Sequence, residues 1–253
     1  MSLFDLNGKS AIVTGGNGGI GRGIALGLAA AGASVCIAGR NQEKNEAVKD
    51  EIDGLGGTAI TARCDVNSSS DIAATIEATE QAFGGLRILV NNAGIVAINA
   101  PEEMSDDEWA SVIQTNLSSV FTFSRAAHAA LVKAGGGKII NIGSMYSLFG
   151  SSLAPSYAAS KGGVVQLTKS CAAAWAKDNI QVNAILPGWI HSDMTAPIKS
   201  DMTEFYDAIV ARTPAGRFGE PEECAGTAVF LASEASNFVT GQSIAVCGGY
   251  SIS

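Results

Sequence analysis

Seven short runs of β-branched and small apolar residues recur along the chain, separated by longer stretches with helical periodicity. The runs are Ser10–Thr14, Ser34–Ala38, Thr58–Ala62, Ile88–Val90, Lys138–Ile142, Ile180–Leu186 and Ser243–Val246. Between them, amphipathic or apolar patterns cover Ile20–Ala31, Gln42–Leu55, Ser69–Phe83, Asp107–Lys133, Pro155–Lys177 and Pro221–Ser233. This alternation constrains the fold more than any other feature. A strand that returns through a helix lies parallel to its predecessor, and right-handed crossovers cover both faces of the resulting sheet. The expected class is therefore α/β and doubly wound, with its ligand crevice beyond the carboxyl ends of the strands. Helix starts are signalled locally: Ser105 with Glu108 reads as a capping box, and Pro221 followed by Glu222 and Glu223 suits a first turn.

Size and composition agree with one domain over 1–253, since no Pro/Gly/Ser-rich linker divides the 253 residues and 47% of them are hydrophobic. A formal charge of −8 without a basic cluster argues against nucleic acid or an anionic membrane as partner. Cys36, Cys64, Cys171, Cys224 and Cys247 are dispersed and form no Cys-x-x-Cys, so they read as buried thiols in a reducing compartment. His128 and His191 are isolated, and no metal site is expected. Met1–Leu6 lacks a basic stretch followed by an apolar run, and the apolar stretch Gly23–Gly39 is broken by Gly27 and Gly32. A cytoplasmic location is the expectation.

After the first strand comes Thr14-Gly15-Gly16-Asn17-Gly18-Gly19-Ile20-Gly21, which opens a helix. Glycine permits positive φ and close approach of a ligand, and free helix amides attract a pyrophosphate. In the first βα turn of a parallel array this favours dinucleotide binding over a merely steric turn. Gly16, Gly18 and Gly21 match Gly-x-Gly-x-x-Gly, but the register Gly15-x-x-x-Gly19-x-Gly21 suits the remaining motifs better. At the end of the second strand a carboxylate would select NAD and an arginine the 2′-phosphate of NADP. Gly39 stands where the acid would be, followed by Arg40, so NADP(H) is favoured over NAD(H).

Tyr157 and Lys161 are four residues apart and share a helix face, with Ser144 thirteen residues before the tyrosine. A free phenol is a poor base at neutral pH, and bringing its pKa to neutrality requires about 4 kcal/mol. An ammonium at about 5 Å in an effective dielectric of about 20 supplies roughly 3 kcal/mol. A lysine in this position is expected to do most of that work, and an oxidised nicotinamide ring the remainder.

With these motifs assembled, the chain resembles the short-chain dehydrogenase/reductase family over essentially its whole length. The resemblance rests on Thr14-Gly15-x-x-x-Gly19-Ile20-Gly21, Asn91-Asn92-Ala93-Gly94, Ser144, Tyr157-x-x-x-Lys161 and Pro187-Gly188, in that order. It implies a doubly wound (Rossmann) parallel seven-stranded sheet. By position, Gly15, Asn17, Gly19, Ile20, Gly21 and Arg40 would hold the pyrophosphate and ribose, and Asp65 and Val66 the adenine. Asn92, Ala93 and Gly94 would wall the cofactor, with Pro187, Gly188, Ile190 and Ser192 at its nicotinamide end. Ser192 stands where the family usually has threonine. The implied catalytic set is Asn116, Ser144, Tyr157 and Lys161: Tyr157 as general acid/base, Ser144 bonding the reacting oxygen, Lys161 tuning the phenol and holding ribose hydroxyls, and Asn116 positioning a water in a proton relay. The implied reaction interconverts a secondary alcohol and a ketone.

For the substrate, the expected pocket uses Val96, Met145, Tyr146, Phe149, Trp189 and Met194, with residues at about 189–212 as a lid. His191 and Lys199 are candidates to meet a carboxylate, though lid positions facing solvent explain them equally well. Val182–Thr195 and Arg212–Arg217 look similar to gluconate and deoxygluconate dehydrogenases, which implies a sugar acid or polyol; some of these prefer NAD. A 3-oxoacyl-carrier-protein reductase or a general carbonyl reductase is the alternative enzyme, and a dinucleotide-sensing protein the non-enzymatic one. Ile95–Asn99 lacks the Thr-Arg-Asp character of the carrier-protein reductases. The family implies a homotetramer, for which the small apolar faces at Ala126–Leu131 and Cys171–Ala176 are suited unless they lie against the sheet.

Overall fold

β1 (Ser10–Thr14) is buried at every residue, as expected of a β-branched run inside a parallel sheet. The computed structural model describes residues 3–253; Met1 and Ser2, part of the segment read above for a leader, lie outside the described residues. The following elements are α1 (Gly19–Ala30), β2 (Ser34–Gly39), α2 (Gln42–Gly54), β3 (Thr58–Arg63), α3 (Ser69–Phe83) and β4 (Ile88–Asn91). After them come α4 (Asp106–Ile113), α5 (Ser119–Lys133), β5 (Gly137–Ile142), α6 (Pro155–Trp175) and β6 (Ile180–Pro187). The chain closes with α7 (Ala196–Asp201), α8 (Thr203–Arg212), α9 (Ala225–Ala232) and β7 (Ser243–Val246).

The seven strands form one sheet of order β3-β2-β1-β4-β5-β6-β7, parallel throughout. Chain direction across the sheet reverses between β1 and β4, where the loops leaving the two strands part and open a crevice. The register brings Thr14 level with Ala38, and Asn91 level with Asn141. Gly15, Gly39, Asn92 and Gly143 therefore leave the sheet along one rim.

Alternation along β1 builds both cores. Val13 faces Ile24, Leu28, Ala228 and Leu231 of α1 and α9, whereas Ile12 faces Ile72, Ile76, Phe123 and Leu131 of α3 and α5. Burying a side chain of this size contributes about 1.5–3 kcal/mol. Ala127, Ala130, Leu131, Cys171 and Ala172 pack into the second core, so the small-residue faces of α5 and α6 serve the sheet.

The expected helix Asp107–Lys133 is interrupted by a π turn at Gln114–Ser118. Sequence periodicity is blind to this extra residue in one turn, which places Asn116 inward. Pro221–Cys224 is a 3-10 turn leading into α9. The capping box of Ser105 and Glu108 is present. The segment expected as an irregular lid contains α7 and α8. Cys36 and Cys224 are buried, and burial pushes both thiols up to about 11; Cys247, expected to be buried, is only half-buried.

Candidate active site

A cleft of about 920 Å³ lies along the carboxyl rim of the sheet, lined by the loops after β1, β2, β4, β5 and β6 and by α6. It brings together every predicted catalytic, cofactor and substrate residue except Gly21 and Asn116.

The glycine loop takes the second register considered above: Gly15 and Gly19 have φ of 61° and 47°, whereas Gly16 and Gly18 have no positive φ. No side chain caps α1, so its first-turn amides are left to the cleft. A Cβ on Gly18 would meet nothing within 4 Å, and one on Gly19 would come 3.1 Å from Cβ of Ser192. This open, amide-lined cradle fits a pyrophosphate. Gly21 has another role: a Cβ there would overlap the Gly15 carbonyl and the Asn92 amide, so its glycine is required by backbone packing. Thr14, quoted above only as part of the loop, organises the opposite wall. Its Oγ1 accepts from the N–H groups of Asn92 (2.9 Å) and Ala93 (3.1 Å), and Asn92 Nδ2 donates to the Thr14 carbonyl (2.9 Å).

At the end of β2, a Cβ on Gly39 would collide with Asn17 Nδ2 and stand 2.7 Å from Asn45 Oδ1. Asn17 Nδ2 donates to Asn45 Oδ1 (2.7 Å), and the buried Asn45 donates to the carbonyls of Gly39 (2.9 Å) and Ala62 (3.1 Å). The place of a carboxylate is thus filled from another direction. Arg40 is exposed and makes no hydrogen bond or ion pair among the described residues. Lys44, which sequence reasoning passed over, lines the mouth and meets Asp193 at 3.1 Å in an exposed pair. Asp65 Oδ1 accepts from the Asn67 N–H (2.9 Å), which orients the carboxylate beside Val66.

On the far wall, Pro155 at the first turn starts α6, and Tyr157 and Lys161 project from it. Lys161 Nζ donates to the Ile142 carbonyl at 2.7 Å and lies 5.6 Å from the Tyr157 ring centroid. Ser147 Oγ donates to the Lys161 carbonyl (2.7 Å) and accepts from the Ser144 N–H (3.1 Å), clamping the serine loop to the helix. Deeper in the core, Asn91 Nδ2 donates to Asn141 Oδ1 (2.8 Å) and Asn141 Nδ2 to Thr168 Oγ1 (2.9 Å), tying β4, β5 and α6 together. Asn116 is fully buried behind this wall. It accepts from the Ile95 N–H (2.8 Å) and donates to the Ile95 carbonyl (2.8 Å). Its contact with the cleft is indirect: a Cβ on Gly94 would lie 3.3 Å from Asn116 Oδ1 and 3.7 Å from Lys161 Nζ.

Burial dominates the electrostatics of the Tyr157–Lys161 pair. Burial pushes the Tyr157 phenol above its ordinary value; the hydrogen bond from Ser144 opposes this, and Tyr146 adds to it. Burial also holds the Lys161 ammonium down to about 8. Lys161 gives its hydrogen bond to the Ile142 carbonyl, and burial is the largest influence on Tyr157, which keeps the phenol protonated at neutral pH.

The substrate end is aromatic. Tyr146 stands edge-on to both Tyr157 and Trp189, with centroids 6.2 Å apart in each case, and Trp189 to Phe205 at 5.8 Å. Phe149 meets Tyr250 at 6.3 Å. Val96, Met145 and Met194 also line it, as do Met202 and Arg212, which the sequence placed within the lid and not among the substrate contacts. His191 and Lys199 do not line the cleft: His191 stacks on Phe218 at 5.3 Å, and Lys199 Nζ sits 5.9 Å from the Tyr206 ring.

A family model described as enoyl-(acyl carrier protein) reductase matches residues 15–251. The chain is 42% identical over 251 residues to 2-dehydro-3-deoxy-D-gluconate 5-dehydrogenase of Escherichia coli (strain K12), covering 99% of this chain and 98% of the relative. It is 41% identical over 252 residues to gluconate 5-dehydrogenase of Gluconobacter oxydans (strain 621H), with 99% and 98% covered. The crystal structure of a gluconate 5-dehydrogenase from Burkholderia cenocepacia J2315 in complex with NADP and tartrate superposes with a TM-score of 0.94 at 39% identity, covering 99% of this chain and 98% of that one.

Proposed function

The chain belongs to the short-chain dehydrogenase/reductase family, and from that premise we propose that it is an NAD(P)-dependent oxidoreductase interconverting a secondary alcohol and a ketone on a sugar acid. The observation that carries this reading is one cleft that holds an amide-lined glycine cradle at one end and Ser144, Tyr157 and Lys161 beside an aromatic chamber at the other. Relatives named for gluconate and deoxygluconate support the substrate class.

In this reading Gly15, Asn17, Gly19, Ile20, Arg40, Asp65, Val66, Asn92, Ala93, Gly94, Pro187, Gly188, Ile190 and Ser192 hold the dinucleotide. Hydride exchange with the carbinol carbon is the chemistry a bound nicotinamide supplies, and its oxidised ring brings positive charge beside the phenol. Tyr157 gives a proton to the carbonyl oxygen in reduction and takes it from the hydroxyl in oxidation. Ser144 donates to the same oxygen as negative charge develops. Lys161, fixed by Ile142, holds ribose hydroxyls, and Asn116 keeps Ile95 and Gly94 in place beside it and serves the proton relay.

NADP(H) is the favoured cofactor. Arg40 is unpaired, the amides at the start of α2 lie nearby, and the Asn17–Asn45 pair excludes a carboxylate at residue 39. We place the protein in the cytoplasm as a homotetramer. Exposed Trp109, Phe121 and Val132 offer apolar contact on α4 and α5, and light scattering showing a monomer would remove that part. Residues 189–212, carrying α7 and α8, act as the substrate lid.

The test is spectrophotometric: purified protein is assayed with NADP⁺ and NAD⁺ on D-gluconate and related aldonic acids, and with NADPH and NADH on the corresponding keto acids. Absorbance change at the nicotinamide band with an acid substrate supports the reading. Dinucleotide binding without turnover of any alcohol or ketone would make the protein a sensor instead.

A further inference from the structure

Resting on that reading, we infer that Arg212 is the group that receives the carboxylate of the substrate. It ends α8 and lines the cleft. Its guanidinium lies 4.2 Å from the Tyr250 ring centroid and 5.4 Å from that of Phe149, and Nη1 donates to Tyr250 Oη at 3.1 Å. Burial raises the Tyr146 phenol, and Arg212 is near enough to oppose that rise. Tyr146 in turn stands edge-on to Tyr157, so Arg212 sits one ring beyond the proton-transfer group.

The charges along the cleft single it out. Of the lining carboxylates, Asp65 follows β3 at the expected adenine position, and Asp193 is paired with Lys44 at 3.1 Å. Near Tyr157 the other cation is Lys161, which is committed to the Ile142 carbonyl. Among the described residues no carboxylate pairs with Arg212. A guanidinium positioned by two rings and by one hydrogen bond to Tyr250, with its remaining nitrogens free, is preorganised for a carboxylate. The other polar groups lining that end, such as Ser144, Ser151 and Ser152, are neutral hydroxyls, so Arg212 is the cation there without a carboxylate partner among the described residues. His191 and Lys199, the carboxylate partners considered from the sequence, are engaged outside the cleft.

The experiment compares D-gluconate with neutral D-gluconamide in the wild type, Arg212→Gln and Arg212→Lys. It is backed by calorimetric titration of tartrate into the NADP⁺-loaded proteins. Loss of one charged hydrogen-bonding partner should lower the kcat/KM ratio of acid to amide by about 10- to 100-fold in R212Q, mainly through KM, with Arg212→Lys in between. Melting temperatures report whether each variant is folded; should R212Q fail to fold, Arg212→Lys carries the comparison. If the wild type prefers the acid and the variants keep that preference, Arg212 is excluded while the sugar-acid reading stands. If the wild type turns over neither compound, that reading falls, and titration decides for Arg212: equal tartrate affinity in wild type and variant overturns the inference, and weaker binding to the variant upholds it.

Discussion

The Lys161 ammonium donates its 2.7 Å hydrogen bond to the Ile142 carbonyl, at the end of β5, while the Tyr157 ring centroid lies 5.6 Å away. The lysine is thereby a bolt between α6 and the strand that delivers Ser144, as well as a charge near the phenol. Ser147 adds a second tie by bridging the Ser144 N–H and the Lys161 carbonyl. The relative placement of serine, tyrosine and lysine is set by these two ties.

Tyr157→Phe removes the proton carrier and leaves the ring against Tyr146. Turnover should fall by about 10²–10⁴-fold, the usual worth of a general acid/base. NADPH affinity, followed by the fluorescence of the bound nucleotide, should change little. Retained turnover would remove the phenol from the mechanism.

Stability of the dinucleotide-free protein should rise with pH just above neutrality. Burial lowers both Lys138 and Lys161 from 10.5 to about 8. Between those values the unfolded chain binds more protons than the folded one, so unfolding free energy climbs, by at most about 1.4 kcal/mol per pH unit for each lysine. Below pH 8 both states are protonated and these groups contribute no slope. Cys36 and Cys224, raised from 9.0 to about 11, act in the opposite sense above pH 9. Urea midpoints should increase from pH 8 to 9 and then level, and Lys138→Met should remove about half of the increase. A flat profile in the parent would contradict the burial argument.

Gly39→Asp, the simplest change toward NAD, should fail. The new Cβ meets Asn17 and Asn45, and displacing the buried Asn45 also breaks its bonds to Gly39 and Ala62. Overpacking of this kind costs about 1–3 kcal/mol. Calorimetric melting should show the loss, with no gain in NADH affinity by titration. Combining the change with Asn17→Gly removes the nearest obstacle and should recover part of the stability. An NAD-preferring, fully stable single variant would disprove the steric argument.

Asn116→Ala should destabilise the fold as well as slow it catalytically. It strips partners from both the N–H and the carbonyl of Ile95. Both groups are only part-buried, so a loss of about 1–3 kcal/mol in total is expected from urea unfolding. An unchanged midpoint would mean that the π turn is held by other contacts.

Much of the site was legible because short-range rules place it. The bounds of β1, β7 and α3 follow from hydrophobic period and turn residues alone, and the Tyr157–Lys161 spacing needs only helix geometry. Thr14 stood within a quoted motif and Ser147 lies three residues after Ser144, yet their roles depend on partners 78 and 14 residues away. Arg212 was quoted for family likeness and not for the cleft, because nothing local tells whether the last residue of α8 faces solvent or Phe149.

The order of apolar runs, the glycine turn and the tyrosine–lysine spacing were determined by the sequence itself, since periodicity and backbone sterics act over a few residues. Tertiary structure alone decided that Asn17 and Asn45 occupy the space at Gly39, that burial raises the Tyr157 phenol, and that Arg212 faces the cleft. Those outcomes depend on which distant groups are pressed together and how much water is excluded between them, and desolvation and steric contact exist only once the chain has packed.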